Sequence, residues 1–414
     1  MATIQVYGNQ DLKGVVRVKG AKNAAIPIIC ASLLVKGKVL LKNVPRISDV
    51  FDIVSILEKL ECKIQFKGHM LLVDNANLKY KSLIFDECKR IRGSYYFIGV
   101  FLSLFGKCEI LLPGGCSIGK RPIDLHLKAF EELGYSWVIM DDRLVIDKKK
   151  DIQVCSIRIN KKSVGASINA LLAGLSLEKL VIDNVLFEPE GYDVISFLNS
   201  AGYEIILDNE KVIYNKSKLD FKLVKHNIVP DRIEAMTYVV LGLLSGRLTI
   251  KNVNTSQMIE PLKLLKKAHY DISYTSDEIK VFKCLGGPIS FETDVYPGIP
   301  TDIQPILGVL AAYALGDSDI KENIFENRYR IYEDLNRIGV EVNFGEKNVV
   351  VKGCNYLMAN EFDVCDLRQG AAIILLCMKL NGVSVIHNYE LVERGYEDFI
   401  LCINRLGGKI EVIE

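Results

Sequence analysis

Gly37-Lys-Val-Leu-Leu-Lys-Asn43 decides how this chain is read, because the same strand-like heptad comes back along its length. It returns as Glu178-Lys-Leu-Val-Ile-Asp-Asn184, Gly246-Arg-Leu-Thr-Ile-Lys-Asn252, Asp317-Ser-Asp-Ile-Lys-Glu-Asn323 and Gly382-Val-Ser-Val-Ile-His-Asn388. The asparagines step from 184 to 252, from 252 to 323 and from 323 to 388, spacings of 68, 71 and 65 residues. The step from 43 to 184 spans two periods, and a divergent copy, Gly106-Lys-Cys-Glu-Ile-Leu-Leu112, fills the gap with Leu112 in place of asparagine. A fixed period of this kind is the signature of a repeated supersecondary unit, so the chain is six copies of one unit.

Each copy carries the same punctuation. Leu133-Gly134, Ala201-Gly202, Ile338-Gly339 and Leu406-Gly407 follow amphipathic stretches such as Asp124–Leu133 and Tyr329–Ile338. A glycine just past a helix accepts the left-handed backbone of the C-terminal cap. An alternating strand follows, as in Val340-Glu-Val-Asn-Phe344. Each unit therefore reads helix–strand–helix–strand, with further strands in the longer units, and the fold class is α/β. Three units make a domain of ordinary size. The boundaries expected are 22–229 for a first three-repeat domain and 1–21 plus 230–414 for a second, with a site in the cleft between them. A closed ring of three units accounts for the most apolar helices, which would face one another inside the sheets.

Composition bounds the function. The 414 residues are 49% hydrophobic and 25% charged, the mix of a chain with a large core. Fifty-two Lys and Arg against 51 Asp and Glu leave a net charge of +1, which gives no general reason to bind nucleic acid or a membrane surface. The longest apolar stretches, Ala24–Val35 and Tyr95–Phe105, fall short of the roughly 18 residues a membrane span needs. Residues 1–10 lack the basic-then-apolar pattern of a secretory signal. The 11 cysteines, with no CxxC pair, point to reduced thiols, hence a cytoplasmic location without a disulfide framework or zinc site.

The copy that breaks the repeat does so at Pro113-Gly-Gly-Cys116-Ser-Ile-Gly119-Lys120-Arg121-Pro122. Glycines let backbone N–H groups approach an anion, Lys120 and Arg121 can pair with phosphate, and such surroundings favour the Cys116 thiolate. Gly114-x4-Gly119-Lys120 has P-loop spacing, but Arg121 stands where a magnesium-holding Ser or Thr belongs. The unit starts put charge in one repeated slot: Lys19 to Asn23, Arg90-Ile-Arg92, Lys161-Lys162-Ser163, Asp231-Arg232, Thr301-Asp302 and Asp366-Leu-Arg368. Single members read as polar helix starts; the set of six reads as an anion site assembled at helix N-termini.

Taken in order, these segments resemble the UDP-N-acetylglucosamine 1-carboxyvinyltransferase family of enolpyruvyl transferases. The resemblance rests on Lys22-Asn23-Ala-Ala, Pro113-Gly-Gly-Cys116-x4-Arg121-Pro-x-Asp124-x-His126, Ser163-Val-Gly165 and Pro230-Asp-Arg-Ile-Glu234. It continues through Pro300-Thr-Asp302, Phe325-Glu-Asn-Arg328, Asp366-Leu-Arg368 and Arg394-Gly-Tyr396. It implies a two-domain inside-out α/β barrel and transfer of the enolpyruvyl group of phosphoenolpyruvate to the 3′-hydroxyl of UDP-N-acetylglucosamine, opening peptidoglycan precursor synthesis. By that resemblance Cys116 protonates the methylene carbon of phosphoenolpyruvate, can form an adduct with it and would be alkylated by fosfomycin. Asp302 takes the hydroxyl proton, and Lys22, Asn23, Arg121 and Arg394 hold phosphoenolpyruvate. Asn23, Arg92, Arg121, Pro122, Ile123, Asp124, Leu125, Lys161, Lys162, Ser163, Val164, Asp302 and Ile324 line the sugar-nucleotide site, supported by Arg232, Arg328 and Arg368. No metal, cofactor or obligate protein partner is expected. The sister enzyme acting on shikimate 3-phosphate lacks the Gly-Gly-Cys loop, and a silent sugar-nucleotide sensor has no need of Cys116, Lys22, Asp302 and Arg394 together. Gly93, Met236, Ile331 and Gln369 depart from the family pattern at positions without a chemical role.

Overall fold

The structure, a computed structural model, describes residues 2–113, 123–217, 223–354 and 356–413. These fall into two compact units, one made of residues 2–19 and 230–413, the other of the described residues in 20–229. Each has its own hydrophobic core and three sheets.

One repeat shows the plan. Val154–Arg158 runs into the helix Val164–Gly174, which returns the chain to Lys179–Asp183, parallel to the first strand with Leu180 opposite Cys155. After the helix Pro189–Ser200, a hairpin lays Lys211–Asn215 antiparallel on Lys179–Asp183, with Leu180 opposite Tyr214, and ends the sheet with Glu204–Asp208. The strand alternates because one face meets the core: Leu180 and Ile182 are inaccessible while Lys179 is exposed. The helix after the first strand does not alternate. Ala166 to Gly174 are all buried, because this helix packs against helices as well as sheets. Tyr96–Phe105 in this unit is buried from Phe97 to Leu102, and in the other unit Arg232–Ser245, Gln304–Ala311 and, from Arg368 on, Leu367–Cys377 are buried throughout, the three helices packing on one another. Helices inside and sheets outside make each unit an inside-out α/β barrel.

The asparagine of the repeated strand has a structural reason. Asn43, Asn184, Asn252 and Asn388 have φ of 57° to 59°, a left-handed conformation that asparagine tolerates better than most residues. The side chains of three of them add a tie to the parallel neighbour: Asn43 Nδ2 donates to Ile228 O at 2.9 Å, Asn184 to Ile159 O at 2.5 Å and Asn252 to Val18 O at 2.7 Å. In the divergent second copy Leu112 N–H donates directly to Asp142 O at 2.7 Å, so the ladder continues without the kink. Gly134, Gly202, Gly339 and Gly407 take positive φ just past their helices, while Glu61 and His269 occupy that position in the first and fourth repeats.

The two units exchange strands in sequence but not in space. Leu12–Arg17 directly precedes the helix Lys22–Ala31, yet pairs in parallel with Gly246–Lys251 of the 230–413 unit. Leu223–Asn227 directly precedes the helix Arg232–Ser245, yet pairs with Lys38–Lys42 of the 20–229 unit. Ile4–Tyr7 lies between Val383–His387 and Ile410–Val412, completing the sheet of the sixth repeat.

Candidate active site

In the 230–413 unit the polar centre is Asp302. Pro300 holds the chain extended into the turn Thr301–Ile303, which leads into the buried helix Gln304–Ala311. The carboxylate lies between two arginines. Arg328 Nη1 meets Oδ1 at 2.8 Å, while Arg368 places Nε at 3.2 Å and Nη2 at 3.1 Å from Oδ2. Both arginines are almost wholly buried, whereas Asp302 keeps about a quarter of its side chain accessible, at 26%. Burial works against ionisation, but Arg368 and Arg328 outweigh it and hold the Asp302 carboxyl far below the usual carboxylate range.

Each arginine has its own support. Arg368 stands at the start of the helix Leu367–Cys377, where Asp366 caps the amides of Arg368 and Gln369 at 2.8 and 3.1 Å. Its guanidinium lies 5.5 Å from the Tyr396 ring, whose hydroxyl meets Thr237 Oγ1 at 2.9 Å. Arg328 stacks near the Phe325 ring at 5.4 Å and also donates to Thr301 Oγ1 at 3.0 Å. Arg232 begins the helix Arg232–Ser245, is buried and lies 5.8 Å from the Tyr296 ring. Arg394 closes the turn Tyr389–Arg394, half-buried. Ile324 is exposed, and its amide is bound by the Glu322 carboxylate at 2.8 Å.

In the 20–229 unit, Lys22 is the first residue of its helix, and its ammonium pairs with Asp49 Oδ2 at 2.6 Å. The adjacent Asn23 is exposed. A second cluster forms around His126. Asn169 Nδ2 donates to His126 Nδ1 at 3.0 Å while Asn169 Oδ1 accepts the Gly99 amide at 3.1 Å. With Nδ1 used as an acceptor, the ring proton sits on Nε2. Burial, then the Arg92 charge, pushes His126 down to about 3, so the ring is neutral at pH 7. Its Nε2 and Cε1 lie 3.2 Å from where a Cβ on Gly165 would stand. Arg92, Asp124 to His126 and Ser163 to Gly165 thus come together, with the Arg92 guanidinium 5.3 Å from the Tyr95 ring. Ile123 and Leu125 are half-buried at the start of the helix Asp124–Glu132 and Asp124 is exposed. Lys161 and Lys162 are exposed, Lys162 paired with Glu210, and Ser163 caps its helix by accepting Ala166 N–H at 3.3 Å, with Val164 following. Cys116, Arg121 and Pro122 lie outside the described residues.

Three members of the repeated polar slot are therefore helix caps: Ser163, Asp231 and Asp366 each accept amides of their own first turn. Asp231 and Asp366 thus hold as polar helix starts, carboxylates bound to their own amides that would repel an anion, while the neutral Ser163 hydroxyl keeps a proton to donate. Asp49 and Glu322 carry no signal in the sequence, whereas Thr301 is marked only as part of the Thr301-Asp302 unit start. Nothing local distinguishes these two from other polar residues near turns, and their side-chain partners, Lys22 for Asp49 and Thr293 and Thr301 for Glu322, lie more than twenty residues away. Of the departures from the family pattern, Gln369 is the best explained. Its Nε2 binds buried Asp334 at 2.7 Å and its Oε1 accepts Cys365 N–H at 2.9 Å. Among the described residues no cluster of three or more His, Cys, Asp or Glu could hold a metal ion, and no helix is long and apolar enough to cross a membrane.

Two three-repeat units built on buried helices, with a carboxylate clamped by arginines, define an enolpyruvyl transferase fold. Its likeness to solved structures is close: the enolpyruvyl transferase NikO from Streptomyces tendae superposes with a TM-score of 0.91 at 21% identity, over 100% of this chain and 99% of that one. An EPSP synthase from Acinetobacter baumannii superposes at 0.78 with 15% identity, over 100% of both. The sequence profile of EPSP synthase (3-phosphoshikimate 1-carboxyvinyltransferase) matches residues 6–402. Relatives named UDP-N-acetylglucosamine 1-carboxyvinyltransferase match over essentially the whole of this chain. That of Pelagibacter ubique (strain HTCC1062) is 33% identical over 417 residues, covering 100% of both chains. That of Legionella pneumophila (strain Lens) is 34% identical over 418 residues, 99% of this chain and 82% of its own length. The chain belongs to the UDP-N-acetylglucosamine 1-carboxyvinyltransferase family of enolpyruvyl transferases.

Proposed function

We propose that this enzyme transfers the enolpyruvyl group of phosphoenolpyruvate to the 3′-hydroxyl of UDP-N-acetylglucosamine and releases inorganic phosphate. The observation that carries the reading is the full-length identity of 33% to relatives bearing that name, together with retention of Lys22, Cys116, Asp302 and Arg394. In this reading Cys116 gives its proton to the methylene carbon of phosphoenolpyruvate, and the sugar oxygen adds to the adjacent carbon as its proton passes to Asp302. Loss of phosphate and of one methyl proton then restores the double bond. Lys22, Arg121 and Arg394 neutralise phosphate and carboxylate, and Asn23, Arg92, Ile123 to Leu125, Lys161 to Val164 and Ile324 receive the sugar nucleotide.

The arginine clamp gives this chemistry a particular timing. A carboxylate held ionised by Arg328 and Arg368 is in its accepting form at every working pH but is a weak base. Proton transfer to it is favourable only once bond formation has made the sugar hydroxyl acidic. Asp302 thus acts late, and its placement matters more than its basicity.

The test is phosphate release from purified protein given both substrates, with a Cys116→Ser control. Release that needs both substrates and falls in the control supports the transfer and the Cys116 role. Persistence in the control keeps the transfer and reassigns the acid. Binding of UDP-N-acetylglucosamine without release would make the chain a sugar-nucleotide sensor.

A further inference from the structure

Glu322 is a buried carboxylate held, among the described residues, by four donors, none of them a cation. Oε1 accepts Thr293 Oγ1 at 2.9 Å and the amides of Ile324 and Phe325 at 2.8 and 3.0 Å. Oε2 accepts Thr301 Oγ1 at 2.9 Å. Thr301 is the residue before Asp302, and the same hydroxyl accepts Arg328 Nη1 at 3.0 Å, the nitrogen that also binds Asp302 Oδ1 at 2.8 Å.

A hydroxyl has one proton to give. Because Thr301 gives it to Glu322, an oxygen lone pair is left facing Arg328, and the guanidinium is seated between Thr301 and Asp302. Glu322 thereby sets the polarity of the hydrogen bonds that end on Asp302, while its other oxygen fixes the segment bearing Ile324. We propose that Glu322 is a positioning residue for the transfer, acting on Asp302 through the Thr301 hydroxyl and Arg328. This role rests on the enolpyruvyl-transfer reading above.

Glutamine at 322 distinguishes this from a packing role. Its carbonyl can still accept the 324 and 325 amides, which forces its NH2 toward Thr301. The Thr301 proton then turns toward Arg328 and opposes it. The expected result for Glu322→Gln is a kcat lower by roughly tenfold to a hundredfold, with KM for UDP-N-acetylglucosamine within about threefold of wild type. Thr301→Val, which removes the hydroxyl at nearly constant volume, gives the same kcat loss, Thr301→Ser restores activity, and the double variant Glu322→Gln/Thr301→Val is no slower than either alone. Thr293→Val, on the other oxygen, lowers Tm and leaves kcat unchanged.

Phosphate release under saturating substrates, with Tm for each variant, decides the matter. Wild type active with Thr301→Val and Glu322→Gln within about twofold of its kcat overturns the positioning role alone. So does an equal kcat loss in Thr293→Val, which would tie the effect to packing. A wild type that releases no phosphate overturns the transfer reading and this role with it.

Discussion

Glu234 is buried with Oε2 2.8 Å from the Lys19 amide, and burial, followed by the neighbouring Asp231 charge, raises its pKa to about 8. In the unfolded chain a glutamate titrates near 4.3. Its folded value is the higher, so its stabilising contribution is full below about pH 4 and is lost as pH rises toward 8. Glu234→Gln should flatten that decline. Urea unfolding at pH 5 and pH 8 should show wild type losing about 3 kcal/mol more than the variant; parallel losses would place the titration elsewhere. Asp302 behaves in the opposite sense. Its carboxyl is held below the unfolded value near 3.9, so its contribution is present above about pH 4 and fades only in stronger acid. Of these two carboxylates, the resemblance picked out Asp302 as a site residue, but its environment could not be read from the sequence. The arginines that clamp it stand 26 and 66 residues away in the chain.

At the scale of elements, close helix approach is set by glycine. A Cβ on Gly99 would stand 2.7 Å from the Asn169 carbonyl oxygen and 2.8 Å from its Oδ1. Tyr96–Phe105 and Val164–Gly174 can therefore touch backbone to backbone only with glycine there, and the Asn169 side chain that orients His126 depends on that approach. Gly99→Ala should cost about 2–3 kcal/mol in chemical denaturation, with the His126 ring nitrogens shifting by NMR as its Asn169 bond loosens. An unchanged denaturation midpoint would mean the helices separate freely. Helix ends were legible in the sequence where glycine marked them, at 134, 202, 339 and 407, and illegible at Glu61 and His269, which take the same left-handed backbone without a glycine.

At the scale of the molecule the two units differ in self-sufficiency. Every strand in the three sheets of the 20–229 unit comes from within it, including Leu223–Asn227. The other unit needs residues 4–17 for a central strand of one sheet and an edge strand of another. A 20–229 fragment should therefore melt cooperatively by circular dichroism with native near-ultraviolet signal, whereas a 230–414 fragment should not. Linking residues 2–19 back onto its C-terminus should restore a cooperative transition. Equal behaviour of the two fragments without that addition would show that the N-terminal strands are dispensable.

The six-fold period, the strand and helix types and the all-round apolar inner helices were determined by the sequence alone, because hydrophobic periodicity and cap chemistry act over a few residues. The family and its candidate residues were legible for a related reason, as short motifs in a fixed order. Only the tertiary structure decided which sheet Leu12–Arg17 and Leu223–Asn227 join, since their parallel partners lie more than two hundred and nearly two hundred residues off. It also set Asp302 between its arginines and tied Thr301 to Glu322. Such long-range contacts are made by the closure of the repeats around each core, and a local pattern does not encode that closure.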